Sequence, residues 1–266
     1  MGPEGSGPTA GGPADRPDRL VVVTGTGTEV GKTWVSARVL TSLRGMGVRC
    51  AARKPAQSFD TDDTSLRDSQ VLAAATGETS EQVCPQVRNY PVAMAPPMAA
   101  EALGLAPPTA AELIAELAGS WDARSGGAAG GPDEAGDPAE TPEAGPGLRL
   151  VELAGGVRSP MAADADCAEF TARLGPTHVL LVADAGLGTI NAVLSSIDSL
   201  NAAGTIAVDA PGPQLLVHLN RYEDSVDLHR RNRDWLAGRL GSSAMDPGAA
   251  VTVSITELVR RLSPLP

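Results

Sequence analysis

The sequence predicts an α/β fold: a single doubly wound, mostly parallel sheet with helices on both faces. Apolar runs bounded by turn residues recur at 20–24, 48–53, 148–153, 178–183 and 214–219, with helical patterns between most of them. The runs are continuous rather than alternating, which suits parallel strands buried on both faces. The first run ends in a glycine-rich turn that opens a helical pattern, and alternating strand and helix signals of this kind place ligands at the carboxyl ends of the strands.

That first turn is the most informative stretch. Residues 24–33 are Thr24, Gly25, Thr26, Gly27, Thr28, Glu29, Val30, Gly31, Lys32 and Thr33, followed by Val35, Val39 and Leu40 at helical spacing. Strand, glycine loop and helix in this order define a P-loop, in which successive backbone N–H groups and the helix N-terminus cradle phosphate oxygens. Gly31 permits close approach of the backbone, Lys32 sets its ammonium against the terminal phosphates, and Thr33 offers a hydroxyl to magnesium. The usual spacing puts a glycine at position 26; here the nearest one, Gly25, lies one residue further back. ATP is the expected ligand.

The other strand ends carry further polar residues. Lys54, fixed by Pro55, ends the second run and reads either as a surface lysine before a turn or as a site residue. Asp68 follows an acidic loop and taken alone is most simply a helix N-cap. Glu152 lies inside an apolar run, where a carboxylate is costly unless it is paired, metal-bound or turned to solvent. Asp184 to Asn191 closes the fourth run with a glycine turn at a helix start, readable as an anion site or as a simple connection capped by Thr189. Thr109 and Glu112 form a capping box for a helix through Leu113, Ile114 and Leu117, and Gly204 ends another that starts at Thr189.

With 266 residues, 30 glycines and 22 prolines, the chain has length for one large domain. Glycine and proline concentrate in 1–18 and 120–147, which are expected to be a disordered N-terminal tail and a disordered acidic insert within one domain spanning 19–266. The net charge is −11, and the insert supplies six acids against Arg124. This balance argues against nucleic acid or an anionic membrane as partner. Cys50, Cys84 and Cys167 are isolated and the chain has 3 histidines, so no zinc cluster arises from regular spacing. No signal-peptide pattern and no run of membrane-span length is present, and a cytoplasmic location is expected.

Assembled, these residues resemble the dethiobiotin synthetase family. The resemblance covers roughly 20–220 and rests on the expanded phosphate loop at 24–33, on Lys54 and Pro55, and on Tyr90, Pro91, Met94 to Pro97 and Ala99 to Glu101. Glu152 with Gly155 and Gly156, and Gly188 to Asn191, follow in the family's order. It implies an ATP- and magnesium-dependent cyclo-ligase that carboxylates 7,8-diaminononanoate with CO2, phosphorylates the carbamate and closes the cyclic urea of dethiobiotin. By that resemblance Gly27, Thr28, Glu29, Val30, Gly31, Lys32 and Thr33 hold ATP and Asn220 reads the adenine. Lys32 and Lys54 contact the phosphates and the carbamate, Thr33, Asp68 and Glu152 hold magnesium, and Thr28 and Ser58 face the diamine. The family is homodimeric, so Leu187, Gly188, Thr189, Ile190 and Asn191 would bind the substrate carboxylate of the neighbouring subunit.

Two positions depart from the family pattern. Leu153 and Phe59 stand where glycines are expected, and both are expected to crowd the diamine side. Alternatives are a sister enzyme with another amine substrate, an amidating enzyme of the cobyrinate type, and a regulatory ATPase of the partition or septum-site type. For the last, the C-terminal pattern Ile255, Leu258, Val259 and Leu262 would be membrane-seeking, although packing on the sheet is the expected role.

Overall fold

The computed structural model describes residues 19–122, 147–205, 212–241 and 249–265. In chain order they form β1 (Arg19–Gly25), α1 (Lys32–Gly45), β2 (Cys50–Arg53), β3 (Gln57–Ser58), α2 (Asp68–Thr76), α3 (Ser80–Val83), β4 (Asn89–Tyr90), α4 (Pro96–Ala102) and α5 (Ala110–Asp122). There follow β5 (Leu148–Glu152), β6 (Pro160–Ala162), β7 (Ala165–Asp166), α6 (Cys167–Leu174), β8 (His178–Asp184), α7 (Thr189–Ala202), β9 (Gln214–Asn220), α8 (Asp227–Gly241), β10 (Ala250–Thr252) and α9 (Ile255–Leu262).

The main sheet has the order β10-β9-β8-β1-β5-β2, and every neighbouring pair is parallel. All five runs read from the sequence are strands of this sheet. From β1 the chain goes to the edge strand β2, returns to β5, and then crosses β1 to reach β8. The winding direction therefore reverses at β1, and the crevice above its carboxyl end is where such a sheet takes its ligand.

Period-two alternation divides each strand between the two faces. Val21, Val23, Leu148, Leu150, Leu180 and Val182 pack with residues of α1, α2 and α9. Val22 and Val151 pack toward α4, α5 and α6, while Val179, Leu181, Leu215 and Val217 pack toward α7 and α8. The same alternation sends Glu152 to the α1 face and Leu153 to the opposite one. Leu153 is fully buried among Tyr90, Met161 and Phe170, so the expectation that it crowds a substrate is not met.

The region beyond Asn220, which the resemblance left unmatched, contributes α8, the edge strand β10 and α9. Leu258, Val259 and Leu262 of α9 are buried in the same cluster as Val35, Val39 and Leu43 of α1. Its apolar stripe is taken up by packing, which removes the basis for a membrane-seeking helix. No described helix is long and apolar enough to cross a membrane.

The capping box forms: Thr109 N–H donates to Glu112 Oε2 at 2.7 Å and Glu112 N–H to Thr109 Oγ1 at 3.3 Å. The helix it starts, α5, runs through Asp122, so Ser120, Trp121 and Asp122 are helical rather than part of a disordered insert. At this end Arg53 donates to Glu78 Oε1 at 2.7 Å and to Ser120 Oγ at 2.8 Å. Its guanidinium lies 4.3 Å from the Trp121 ring centroid, and that of Arg149 lies 5.5 Å from it. The expected tail at 1–18 and residues 123–146 of the expected insert lie outside the described residues.

Burial pushes His218 down to about 4; burial and the neighbouring Arg19 charge do the same to His178. Between pH 4 and 6.5 the unfolded chain then binds more protons than the folded one. Stability is full above about pH 6.5 and falls as pH drops toward 4, by about 1–3 kcal/mol per histidine. Urea unfolding across this range should show the decline, and a shallower one in His218→Gln; an equal decline in that variant would remove His218 as a cause.

Candidate active site

β1 delivers the chain into the loop at Gly25, and α1 starts at Lys32. Gly31 takes the N-cap position with φ 92°, a left-handed conformation that only glycine adopts without strain, and no side chain caps the helix. A Cβ on Gly31 would stand 2.1 Å from Asn220 Nδ2. The first-turn N–H groups of α1 are thus left for a ligand, with the positive end of the helix dipole behind them.

Lys32 is anchored across the loop. Its Nζ donates to Gly27 O at 3.0 Å and to Gly155 O at 2.7 Å, which leaves one N–H for a ligand. Burial, and then the like charge of Lys54, lower its pKa from the usual lysine value. The Gly155–Gly156 turn after β5 lies against this loop, since a Cβ on Gly156 would meet Gly27 Cα at 3.2 Å.

A carboxylate cluster lies one step further along α1. Thr33 Oγ1 is 2.7 Å from both Asp68 Oδ1 and Glu152 Oε1. Ser36, on the same helix face three residues on, donates to Glu152 Oε2 at 2.8 Å. Lys54 Nζ contacts Asp68 Oδ2 at 2.5 Å and Glu152 Oε1 at 2.9 Å. Burial disfavours charge on Lys54, but the two carboxylates outweigh it and raise its pKa, so the side chain is cationic. Burial acts against ionised Asp68 as well, and Lys54 with the Thr33 hydroxyl overcomes it and lowers the pKa.

This geometry decides between the readings that local sequence left open for Lys54 and Asp68. Lys54 is buried rather than a surface lysine, and Asp68 is the first residue of α2, behind Arg67 at the N-cap, with its carboxylate turned to Thr33 and Lys54. Thr33 carries one hydroxyl proton, so it donates to one carboxylate at a time while the other oxygen faces its lone pairs at the same separation. Three hard oxygens so placed, with an ammonium between the carboxylates, form a donor set that fits magnesium.

Beside the loop, Gly31, Trp34, His218, Asn220, Arg221 and Tyr222 line a cavity of about 480 Å³. Asn220 Nδ2 donates to Val30 O at 2.9 Å, which ties the end of β9 to the loop. Arg221 strengthens that tie: it donates to Glu29 O at 2.8 Å and pairs with Asp184 at 3.0 Å. Glu29 and Arg221 both have positive φ, 58° and 55°, so this non-glycine strain sits where the loop is fastened.

Thr28 and Glu29 are exposed, Ser58 ends β3, and its buried Oγ has no hydrogen-bond partner among the described residues. In the turn before α7, Leu187 is 92% exposed and Gly188, not Thr189, is the N-cap; Thr189 Oγ1 is also buried without a partner among the described residues. Phe59 lies under the Arg67 guanidinium, 3.8 Å from its ring centroid. Ser36 and Arg221 were not anticipated. Ser36 had a signal, a polar residue on the buried stripe of α1 with Val35 and Val39; Arg221 had none beyond its place after Asn220.

A phosphate loop above the switch point of a doubly wound sheet defines the P-loop class of nucleotide-dependent proteins. Residues 19–213 match the family model described as an AAA domain. The ATP-dependent dethiobiotin synthetase of a Caulobacter species is 34% identical over 242 residues, which is 85% of this chain and 96% of that protein. Those of Caulobacter vibrioides and Anaeromyxobacter dehalogenans are each 31% identical, over 84% and 80% of this chain and 97% and 86% of theirs. The chain belongs to the dethiobiotin synthetase family and is an enzyme of the ligase class.

Replacing Glu152 by Ala leaves the buried Lys54 ammonium with Asp68 alone. Removing one partner of a buried pair costs about 3 kcal/mol, and urea unfolding should show a loss of that size; a loss below about 1 kcal/mol would mean that Glu152 is not what holds Lys54 in place.

Proposed function

We propose that the chain is an ATP- and magnesium-dependent cyclo-ligase that carboxylates 7,8-diaminononanoate with CO2, phosphorylates the carbamate and closes the cyclic urea of dethiobiotin, a step of biotin synthesis. The observation that carries this reading is the meeting of Thr33, Asp68, Glu152 and Lys54 beside the phosphate loop. The names of the matched relatives support it.

In this reading one amine adds to CO2 to form a carbamate, a carbamate oxygen takes the γ-phosphoryl group with ADP as leaving group, and the second amine attacks the carbamoyl carbon and expels phosphate. Both nucleophiles belong to the substrate, so the protein needs no nucleophile of its own, and its part is placement and charge. The α1 amides and Lys32 hold the phosphates, and Lys54 meets charge on the carbamate. Thr33, Asp68 and Glu152 would hold magnesium, which when bound offsets charge on the phosphate oxygens. Thr28 and Ser58 face the diamine, and the free acceptor of Asn220 meets the amino group of adenine.

The exposed Leu187 and the uncapped start of α7 support a homodimer in which Leu187, Gly188, Thr189, Ile190 and Asn191 bind the carboxylate of substrate in the neighbouring site. A cytoplasmic location fits free thiols at Cys84 and Cys167. Phe59, stacked with Arg67 beside Ser58, favours a second reading in which a sister enzyme takes a different amine.

The test supplies 7,8-diaminononanoate, bicarbonate and magnesium ATP to the purified protein. Mass spectrometry should find the cyclic urea with one phosphate per product, and Lys32→Ala should lower turnover by about a hundred-fold or more without changing circular dichroism. Phosphate release without cyclic urea would transfer support to the second reading, and wild-type turnover in Lys32→Ala would refute the assignment of the loop.

A further inference from the structure

The cavity beside the loop contains an aromatic residue that no part of the proposed reaction uses. Trp34 lies three residues into α1 from Gly31, the residue that belongs both to the phosphate loop and to the cavity wall. It is 54% exposed, and the chain has only 3 tryptophans, 2 tyrosines and 2 phenylalanines. Trp34 and Tyr222 line the same cavity. Arg38, one turn further along α1, holds its guanidinium 5.9 Å from the Trp34 ring centroid. The indole thus carries a cation contact and also walls the cavity.

The cavity volume lies in the range of small-ligand sites. A ligand with phosphates at the α1 N-terminus passes Gly31 to enter it, and the part that arrives there is the base. Asn220 supplies polar contact but has committed one amide N–H to Val30 O. A flat heterocycle gains affinity by stacking, because every base has a π-face and stacking buries apolar area on both partners.

We infer that Trp34 is the stacking platform for the nucleotide base, and that it sets affinity for the base half of the nucleotide independently of the phosphate half. This rests on the nucleotide reading above. Base stacking removed by alanine substitution corresponds to roughly a ten- to hundred-fold loss of affinity.

The experiment compares ATP and inorganic triphosphate binding, each with magnesium, by calorimetry on the full chain and on Trp34→Ala and Trp34→Phe. Trp34→Ala should weaken ATP on the order of ten- to a hundred-fold and leave triphosphate unchanged, and Trp34→Phe should keep near wild-type ATP affinity. ATP should also quench tryptophan emission of the wild type and not that of Trp34→Phe. Unchanged ATP affinity in Trp34→Ala, an equal loss of triphosphate, or the same quench in Trp34→Phe would overturn the assignment. If the wild type takes up neither ATP nor triphosphate, the nucleotide reading itself fails and this inference with it.

Discussion

A carboxylate placed out of reach of water at the end of a parallel strand is destabilising by several kcal/mol unless donors and a cation surround it. Glu152 is such a group, fully buried, and its two oxygens are met by Thr33, Ser36 and Lys54. To bring those partners together the end of β5, the first two turns of α1 and the residue after β2 must converge on one point, and the start of α2 joins them through Asp68, which meets Thr33 and Lys54. The charge balance of Glu152 thereby fixes the positions of the elements that frame the phosphate loop. Apolar packing alone would let these elements slide; a short contact to a buried oxygen does not.

The two lysines of the site divide the work by environment. Lys54 lies between carboxylates and is held as a cation by them. Lys32 is anchored by neutral backbone carbonyls and is the easier of the two to discharge. Burial and the like charge of Lys54 together outweigh the nearby carboxylates at Lys32, so an incoming anion relieves an existing imbalance. The site is arranged so that a phosphate group completes it, which is preorganisation in the sense of charge already paid out in folding.

The sheet was legible because parallel strands buried on both faces leave uninterrupted apolar runs, and the five such runs are all strands. β10 escaped, as a three-residue edge strand has too little length to make a pattern. At the site, Lys32, Thr33 and Glu152 were readable from local context: a loop before a helix, and an acid in an apolar run. Asp68 taken alone read most simply as a cap, and only the resemblance joined it to Thr33 and Glu152, because the sequence shows its helix but not Lys54 across the space from it. Leu153 was misplaced for the same reason: the face to which a strand-end residue turns depends on register, and β5 registers with β1 so that Glu152 lies beside Val23. Arg221 was invisible because its partners, Glu29 and Asp184, are brought near only by the sheet.

The stack at the end of α5 has a consequence for how that helix is held to β5. Trp121 is clasped by Arg53 of β2 and Arg149 of β5, so the end of α5 is fastened beside the start of β5, like two ends of a stitched seam. Loop-closure entropy rises only with the logarithm of contour length, and here the closure is secured by side chains that belong to the domain itself. The spacing of these two described ends is therefore set by the clasp itself and not by the length of chain that joins them.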